Sequence, residues 1–331
     1  MRLTMFGAAA AGREFVVWSP VVGLARSALA FATFLTLIAT PTSTLFQALW
    51  DIGPQPICTG VNAVNWFCMF NPHLLDLGKI LACVGLVLVM SGYLPQVTSL
   101  VHYWISFSVF NGIAIPDGGD QITVVLALLL VPICVTDPRT NHWHAAEMVH
   151  GPGRWRRGWS TAALVGIKIQ MSILYLQSCI EKTAHDEWAI GNNLYYTATG
   201  VFGFSTPVRN LLGFILDSDM GVSILTWSVL ALEFTLAIAL VIPRRFRPHL
   251  FLLAVLLHGG IALFMGLWSF AIAMIAADLL LTLPFAGEAY SAGYQFTARR
   301  ERERHVSATE IARRAASYGH TAGTRGRQNN L

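Results

Sequence analysis

The stretch Thr161-Ala-Ala-Leu-Val-Gly-Ile-Lys168-Ile-Gln170-Met-Ser-Ile-Leu-Tyr175-Leu-Gln177-Ser-Cys179-Ile-Glu181 is apolar almost throughout, yet it carries a lysine, a tyrosine and two glutamines. A bilayer crossing needs roughly 20 consecutive, mainly apolar residues, so the stretch predicts a membrane-spanning helix. Offsets of seven, four and three place Lys168, Tyr175, Cys179 and Lys182 on one helical stripe. Gln170, Gln177 and Glu181 fall on the roughly opposite stripe. A helix polar on both sides should face lipid on neither, which predicts a position in the middle of a bundle.

The rest of the chain agrees with a membrane setting. Of 331 residues, 54% are hydrophobic and 12% charged, about half the charged share of a soluble domain. That composition excludes an ordinary soluble enzyme, a disordered protein and a nucleic-acid binder. Similar apolar runs lie near 22–39, 76–92, 101–115, 121–135, 222–242, 249–265 and 268–284, with no internal repeat. The first thirty residues do not read as a signal peptide, because Arg26 interrupts the apolar run; the N-terminus is expected to be retained.

Basic residues orient the spans. Arg139, Arg154, Arg156 and Arg157 fall in one loop and Arg244, Arg245 and Arg247 in another, whereas 40–75 contains no Lys or Arg. The reading is an all-α, polytopic transmembrane bundle of about eight spans with both termini cytoplasmic. Residues 1–21 form a short cytoplasmic segment, 22–284 the transmembrane domain, and 285–331 an Arg/Glu-rich tail expected to be disordered and weakly attracted to anionic lipid.

Ionisable groups inside the spans mark function or tight pairs. Glu233 and His258 each lie nine residues from the basic end of their runs, and Lys168 and Asp278 seven and six from theirs. The matched levels predict pairs Glu233–His258 and Lys168–Asp278, serving either helix register or a relay. Arg26, four residues into its run, is expected to snorkel to the interface. Asp117-Gly118-Gly119-Asp120 reads as an interfacial turn or as the floor of a cavity. Glu181-Lys182-Thr183-Ala184-His185-Asp186-Glu187-Trp188 is a dense acid–base cluster, in which Lys182 is either a snorkelling lysine or a base. Cys58 and Cys68, in the loop without basic residues, suit a disulfide, structural or exchanging; Cys179 is the candidate third thiol. Cys83 and Cys134 read as packing residues, and no cysteine spacing suggests a metal.

Taken together, these segments resemble the sporulation-delaying protein B family. The resemblance rests on Arg26-Ser-Ala-Leu-Ala, Trp66-Phe67-Cys68, Trp104-Ile-Ser-Phe107, Asp117-Gly-Gly-Asp120 and Thr136-Asp-Pro-Arg139. It continues in Gln170 with Tyr175, Lys182 followed by Trp188, Gly191 and Tyr195-Tyr196, and His258 with Gly266-Leu267-Trp268-Ser269-Phe270. It covers about 20–285. That family is a branch of the horizontally transferred transmembrane domain group, which includes the vitamin K-dependent gamma-carboxylases.

The resemblance implies a bacterial membrane protein that, with a small partner protein, matures a secreted antimicrobial peptide from its precursor. The wider group implies Lys182 as a base, with Trp188 and Gly191 matching the residues that follow it. In the enzyme reading Glu181 or Asp186 sets its charge state, and the Asp117/Asp120 turn completes an outward-facing site. Trp188 and Tyr175 would then lie beside a menaquinone-type quinol. The chain lacks the large luminal domain of the carboxylases, which argues against glutamate carboxylation, and it carries no protease motif. Two other readings stay open: a transporter or immunity-type protein using Glu233, His258, Asp278 and Lys168 as a relay, and a non-catalytic scaffold.

Overall fold

Ser19 starts the bundle: its hydroxyl accepts the Val22 N–H at 3.3 Å, and Pro20 follows as the first helical residue, where its missing N–H costs nothing. The computed structural model describes residues 17–49, 53–144, 153–200 and 203–282, all of one compact unit. The expectations for residues 1–16 and for the tail from 285 lie outside the described residues.

Helix α1 (Pro20–Ala39) is followed by the short α2 (Thr42–Leu45) and an antiparallel pair, β1 (Gln47–Leu49) and β2 (Gly53–Gln55). Three single 3-10 turns between Gly60 and Leu74 lead into α3 (Leu75–Ser91), α4 (Pro95–Gly112), α5 (Gly118–Val135) and the long α6 (Arg154–Thr183). Three short helices, α7 (Asp186–Ala189), α8 (Asn193–Thr199) and α9 (Thr206–Leu216), precede α10 (Asp219–Ala237), α11 (Arg247–Met265) and α12 (Trp268–Thr282).

The chain is thus an all-α bundle. Among the described residues, six helices are long and apolar enough to cross a membrane: α1, α3, α5, α6, α10 and α11. Helix α4 is 18 residues long but less apolar, and α12 is apolar but has only 15. The hairpin α4–α5 is longer than its apolar runs suggest, because α4 begins with Pro95-Gln96-Val-Thr98-Ser99, polar residues that hydropathy excludes. Short turns join α3 to α4, α4 to α5 and α11 to α12, so these neighbours run antiparallel. Gly92 makes the first turn: it has φ +82°, and a Cβ there would lie 2.6 Å from Trp143 Cδ1.

The centre of the bundle is α12, not α6. Almost every residue from Ala271 to Thr282 is buried, and the helix packs against α1, α5, α6 and α11. Helix α6 buries one stripe (Ser160, Leu164, Ile167, Lys168, Met171, Tyr175, Cys179), and its other side, with Ile169, Ile173, Leu176, Gln177 and Glu181, is exposed. The expected central position therefore fails. The outer face is mostly branched aliphatic, so within the apolar part of the helix exposure to lipid costs only neutral amide groups.

Arg26 does not snorkel. It is 1% exposed, and its guanidinium donates to Thr98 Oγ1 at 2.7 Å and to His142 Nδ1 at 3.1 Å. An arginine only donates, so His142 Nδ1 must keep its lone pair and the ring is neutral with its proton on Nε2, 3.3 Å from Ser27 Oγ. The loop after α5 holds His142 in place: Asp137 accepts from the backbone N–H and Nε of Arg139, and its other oxygen receives NH2 at 2.7 Å. Arg139 NH1 donates in turn to the carbonyls of His142 and His144.

Burial, with Arg26 and Arg139 nearby, pushes the His142 imidazole down to about 4. Between that value and the ordinary one near 6.5, the unfolded chain binds a proton that the folded chain refuses. Stability is therefore full above pH 6.5 and falls on acidification toward pH 4. Thermal unfolding of the detergent-solubilised protein across this range should show the decline, and His142→Gln should flatten it. An identical profile for the variant would contradict the assignment.

Candidate functional site

Asp278 is a carboxylate with no exposure at all, on the most buried helix of the bundle. An isolated charge there would be very costly, so the surrounding helices must supply partners. Tyr175 of α6 donates its hydroxyl proton to Asp278 Oδ1 at 2.7 Å. That proton is then spent, so the 3.1 Å contact between Tyr175 Oη and His258 Nε2 makes His258 of α11 the donor. His258 Nε2 also lies 3.2 Å from Asp278 Oδ2, within ion-pair distance but outside hydrogen-bond geometry; Oδ2 and His258 Nδ1 have no hydrogen-bond partner. Lys168 lies lower on the same stripe of α6 and donates to the Leu281 carbonyl at 2.7 Å.

Seven residues beyond Tyr175, roughly 10 Å along the helix, Lys182 in the last turn of α6 forms an ion pair with Glu233 of α10. Ser178 donates to the other oxygen of Glu233 at 3.2 Å. The Lys182 ammonium also sits 4.9 Å from the centre of the Trp188 ring, a cation–π contact. The Lys182 side chain is 25% exposed and that of Glu233 9%, so the pair forms the mouth of a polar seam whose inner part is Tyr175–His258–Asp278. Beyond α6 the chain continues along α10: the Leu194 N–H donates to Thr226 Oγ1 at 3.1 Å.

Two pairings read from span levels are therefore exchanged. Glu233 pairs with Lys182 rather than His258, and Asp278 with His258 and Tyr175 rather than Lys168. Counting depth from the basic ends assumed equal, parallel helices. α11 and α12 are instead registered by their shared turn at Gly266, and α10 meets the end of α6 with its C-terminal half. Glu181 and Asp186, expected beside the Lys182 amine, are exposed, and the carboxylate that reaches it is Glu233.

The Asp117/Asp120 turn is an N-terminal capping box for α5: Asp117 accepts the Asp120 N–H at 2.9 Å, and Asp120 accepts the Asp117 N–H at 3.2 Å. Gly119 lies against α12, where a Cβ would come within 2.6 Å of Phe270 Cα. The Phe270 ring meets the His258 ring edge-on at 5.9 Å, so the turn touches the seam through one aromatic residue. Among the described residues, no hydrogen bond or ion pair joins either aspartate to Lys182.

Cys58 and Cys68 form a disulfide, and the loop it closes is fastened to α4: Asn65 Nδ2 donates to the Ser108 carbonyl and the Trp66 N–H to Ser108 Oγ, both at 2.8 Å. Cys179 points to the Leu230 carbonyl of α10 at 3.7 Å. Sequence reasoning missed Ser178, which lies between the two polar stripes of α6, and His142, whose loop showed no periodicity. Among the described residues, no group of three His, Cys, Asp or Glu side chains is gathered as a metal set.

A relative from Bacillus subtilis (strain 168) described as sporulation-delaying protein SdpB is 30% identical over 270 residues, covering 81% of this chain and 82% of its own length. The chain belongs to the sporulation-delaying protein B family. A second relative from the same organism, the uncharacterized protein YitO, is 32% identical over 272 residues, 81% of this chain and 86% of its own. No family model and no solved structure matches. Both alignments are long enough to take in most of the helices that build the seam.

Removing Lys182 alone should leave Glu233 charged, largely buried and short of a partner. Lys182→Met is expected to cost about 1–3 kcal/mol of stability, a moderate figure because the amine is partly solvated. Adding Glu233→Gln should restore much of the loss, read as unfolding midpoints of the single and double variants. Equal midpoints for wild type and Lys182→Met would show that the pair carries no weight.

Proposed function

We propose that the chain is an integral maturation factor for a secreted antimicrobial peptide, acting as a lysine-base enzyme from the outer face of the bacterial cytoplasmic membrane. Membership in the family of SdpB supports the pathway, and the Lys182–Glu233 pair beside Trp188 supports the chemistry. In this reading the bundle crosses eight times with both termini inside, and the basic loops around Arg139 and Arg244 remain cytoplasmic. A peptide precursor and a small maturation protein are its partners.

Chemically, a lysine acts as a base only after losing its own proton. Glu233 can take it: the ammonium–carboxylate pair becomes amine and carboxylic acid with no change in net charge. The Lys182 amine then accepts a proton from the substrate, and Ser178 keeps the Glu233 carboxyl in place. Trp188 covers the amine and limits its contact with water. A menaquinone-type quinol does not fit the residues first assigned to it. The Tyr175 hydroxyl is already committed to Asp278 and His258, and one face of Trp188 to Lys182, so no step is routed through a quinol. The kinship with gamma-carboxylases remains part of this proposal, and carboxylation does not.

A second reading is supported by the buried Tyr175–His258–Asp278 chain, which suits a proton relay for transport. Lys182→Arg separates the two, since arginine keeps the ion pair but cannot serve as a base. Mass spectrometry of secreted peptides, with membrane levels matched, should show the mature peptide lost in Lys182→Arg cells. Unchanged peptide there, together with loss in Asp278→Asn cells, would transfer the function to the relay.

A further inference from the structure

We infer that the bundle holds a small monovalent anion of chloride size between the Arg26 guanidinium and the face of α4 that carries His102 and Ser106. Arg26 is buried within α1, and two of its three nitrogens are taken by neutral acceptors, Thr98 Oγ1 and His142 Nδ1. Its Nε–H is buried and has no partner. Among the described residues, no carboxylate hydrogen-bonds or ion-pairs with it. The nearby acid, Asp137, is engaged in an ion pair with Arg139. The region therefore keeps one uncompensated positive charge out of water, a state that is costly unless something negative joins it.

The neighbouring groups supply the rest of a cradle. Thr98, His102 and Ser106 are spaced one helical turn apart on α4, so they form a single stripe, and Thr98 fixes that stripe against Arg26. His102 Nε2 and Ser106 Oγ are buried without partners, as is Thr123 Oγ1 on the paired helix α5. His102 lies within the electrostatic reach of Arg26. Arg26 Nε, an imidazole N–H and two hydroxyls can all act as donors, the set an anion requires. A lipid phosphate would have to drag its headgroup past a side chain that is 1% exposed.

The test uses the full-length chain purified in detergent without phospholipid. Its unfolding midpoint is followed as chloride replaces gluconate at constant ionic strength. The inference expects a saturable rise with chloride and with bromide, abolished in Arg26→Gln and weakened in His102→Gln. Should Arg26→Gln fail to accumulate, His102→Gln decides, because it keeps the bonds of Arg26 to Thr98 and His142. Equal midpoints in the two salts would mean that water satisfies these groups, and would overturn the inference. So would a chloride response unchanged in both variants, or stabilisation by added phosphatidylglycerol but not by chloride.

Discussion

A carboxylate with no access to water, Asp278 on α12, is the constraint on which this bundle depends. Tyr175 of α6 donates to it directly, and His258 of α11 donates to the Tyr175 hydroxyl while its ring nitrogen stands 3.2 Å from the free carboxylate oxygen. Three helices are thereby locked in depth and rotation about one another. The apolar contacts around them fill space but select no register, because lipid tails are as apolar as the leucines they would replace. Polar partners inside a membrane protein specify which helices meet, and here they gather on the inner stripe of α6.

The same logic accounts for the mouth of the seam. Lys182 stands in the last turn of α6, and without a partner it would bend toward water. Glu233 on α10, steadied by Ser178, keeps it turned inward against Trp188. The result is a partly exposed ion pair that lies about two turns of α6 from a fully buried triad. A site of this form can exchange protons with water at its exposed end while its deeper members stay dry. Arg26, Thr98 and His142 make a second polar knot between α1, α4 and the loop after α5, built with neutral partners around a cation rather than with opposed charges.

Much of this was legible in the residues. Apolar runs located the long helices because a bilayer tolerates little else over that length. Lys168, Tyr175, Cys179 and Lys182 do share the packed side of α6, although the pattern alone did not favour that stripe over Gln170, Gln177 and Glu181. Partner choice was not legible. Depth counted along separate spans says nothing of tilt, of the short length of α12, or of the turn at Gly266 that sets α11 against it. Burial of Arg26 was hidden for a different reason: its partners, Thr98 and His142, lie far away in sequence and carry no charge to betray the contact. The outward position of Gln177 shows the converse error, since a polar residue on a helix does not by itself require a protein neighbour.

The central claim is that Tyr175 and Asp278 act as one unit inside the bundle. A double-mutant cycle with Tyr175→Phe and Asp278→Asn, read by thermal unfolding in lipid nanodiscs, tests it most directly. The account predicts a coupling energy of roughly 1–3 kcal/mol between the two positions. Costs that simply add would show that the two side chains do not share a hydrogen bond, and would contradict the account.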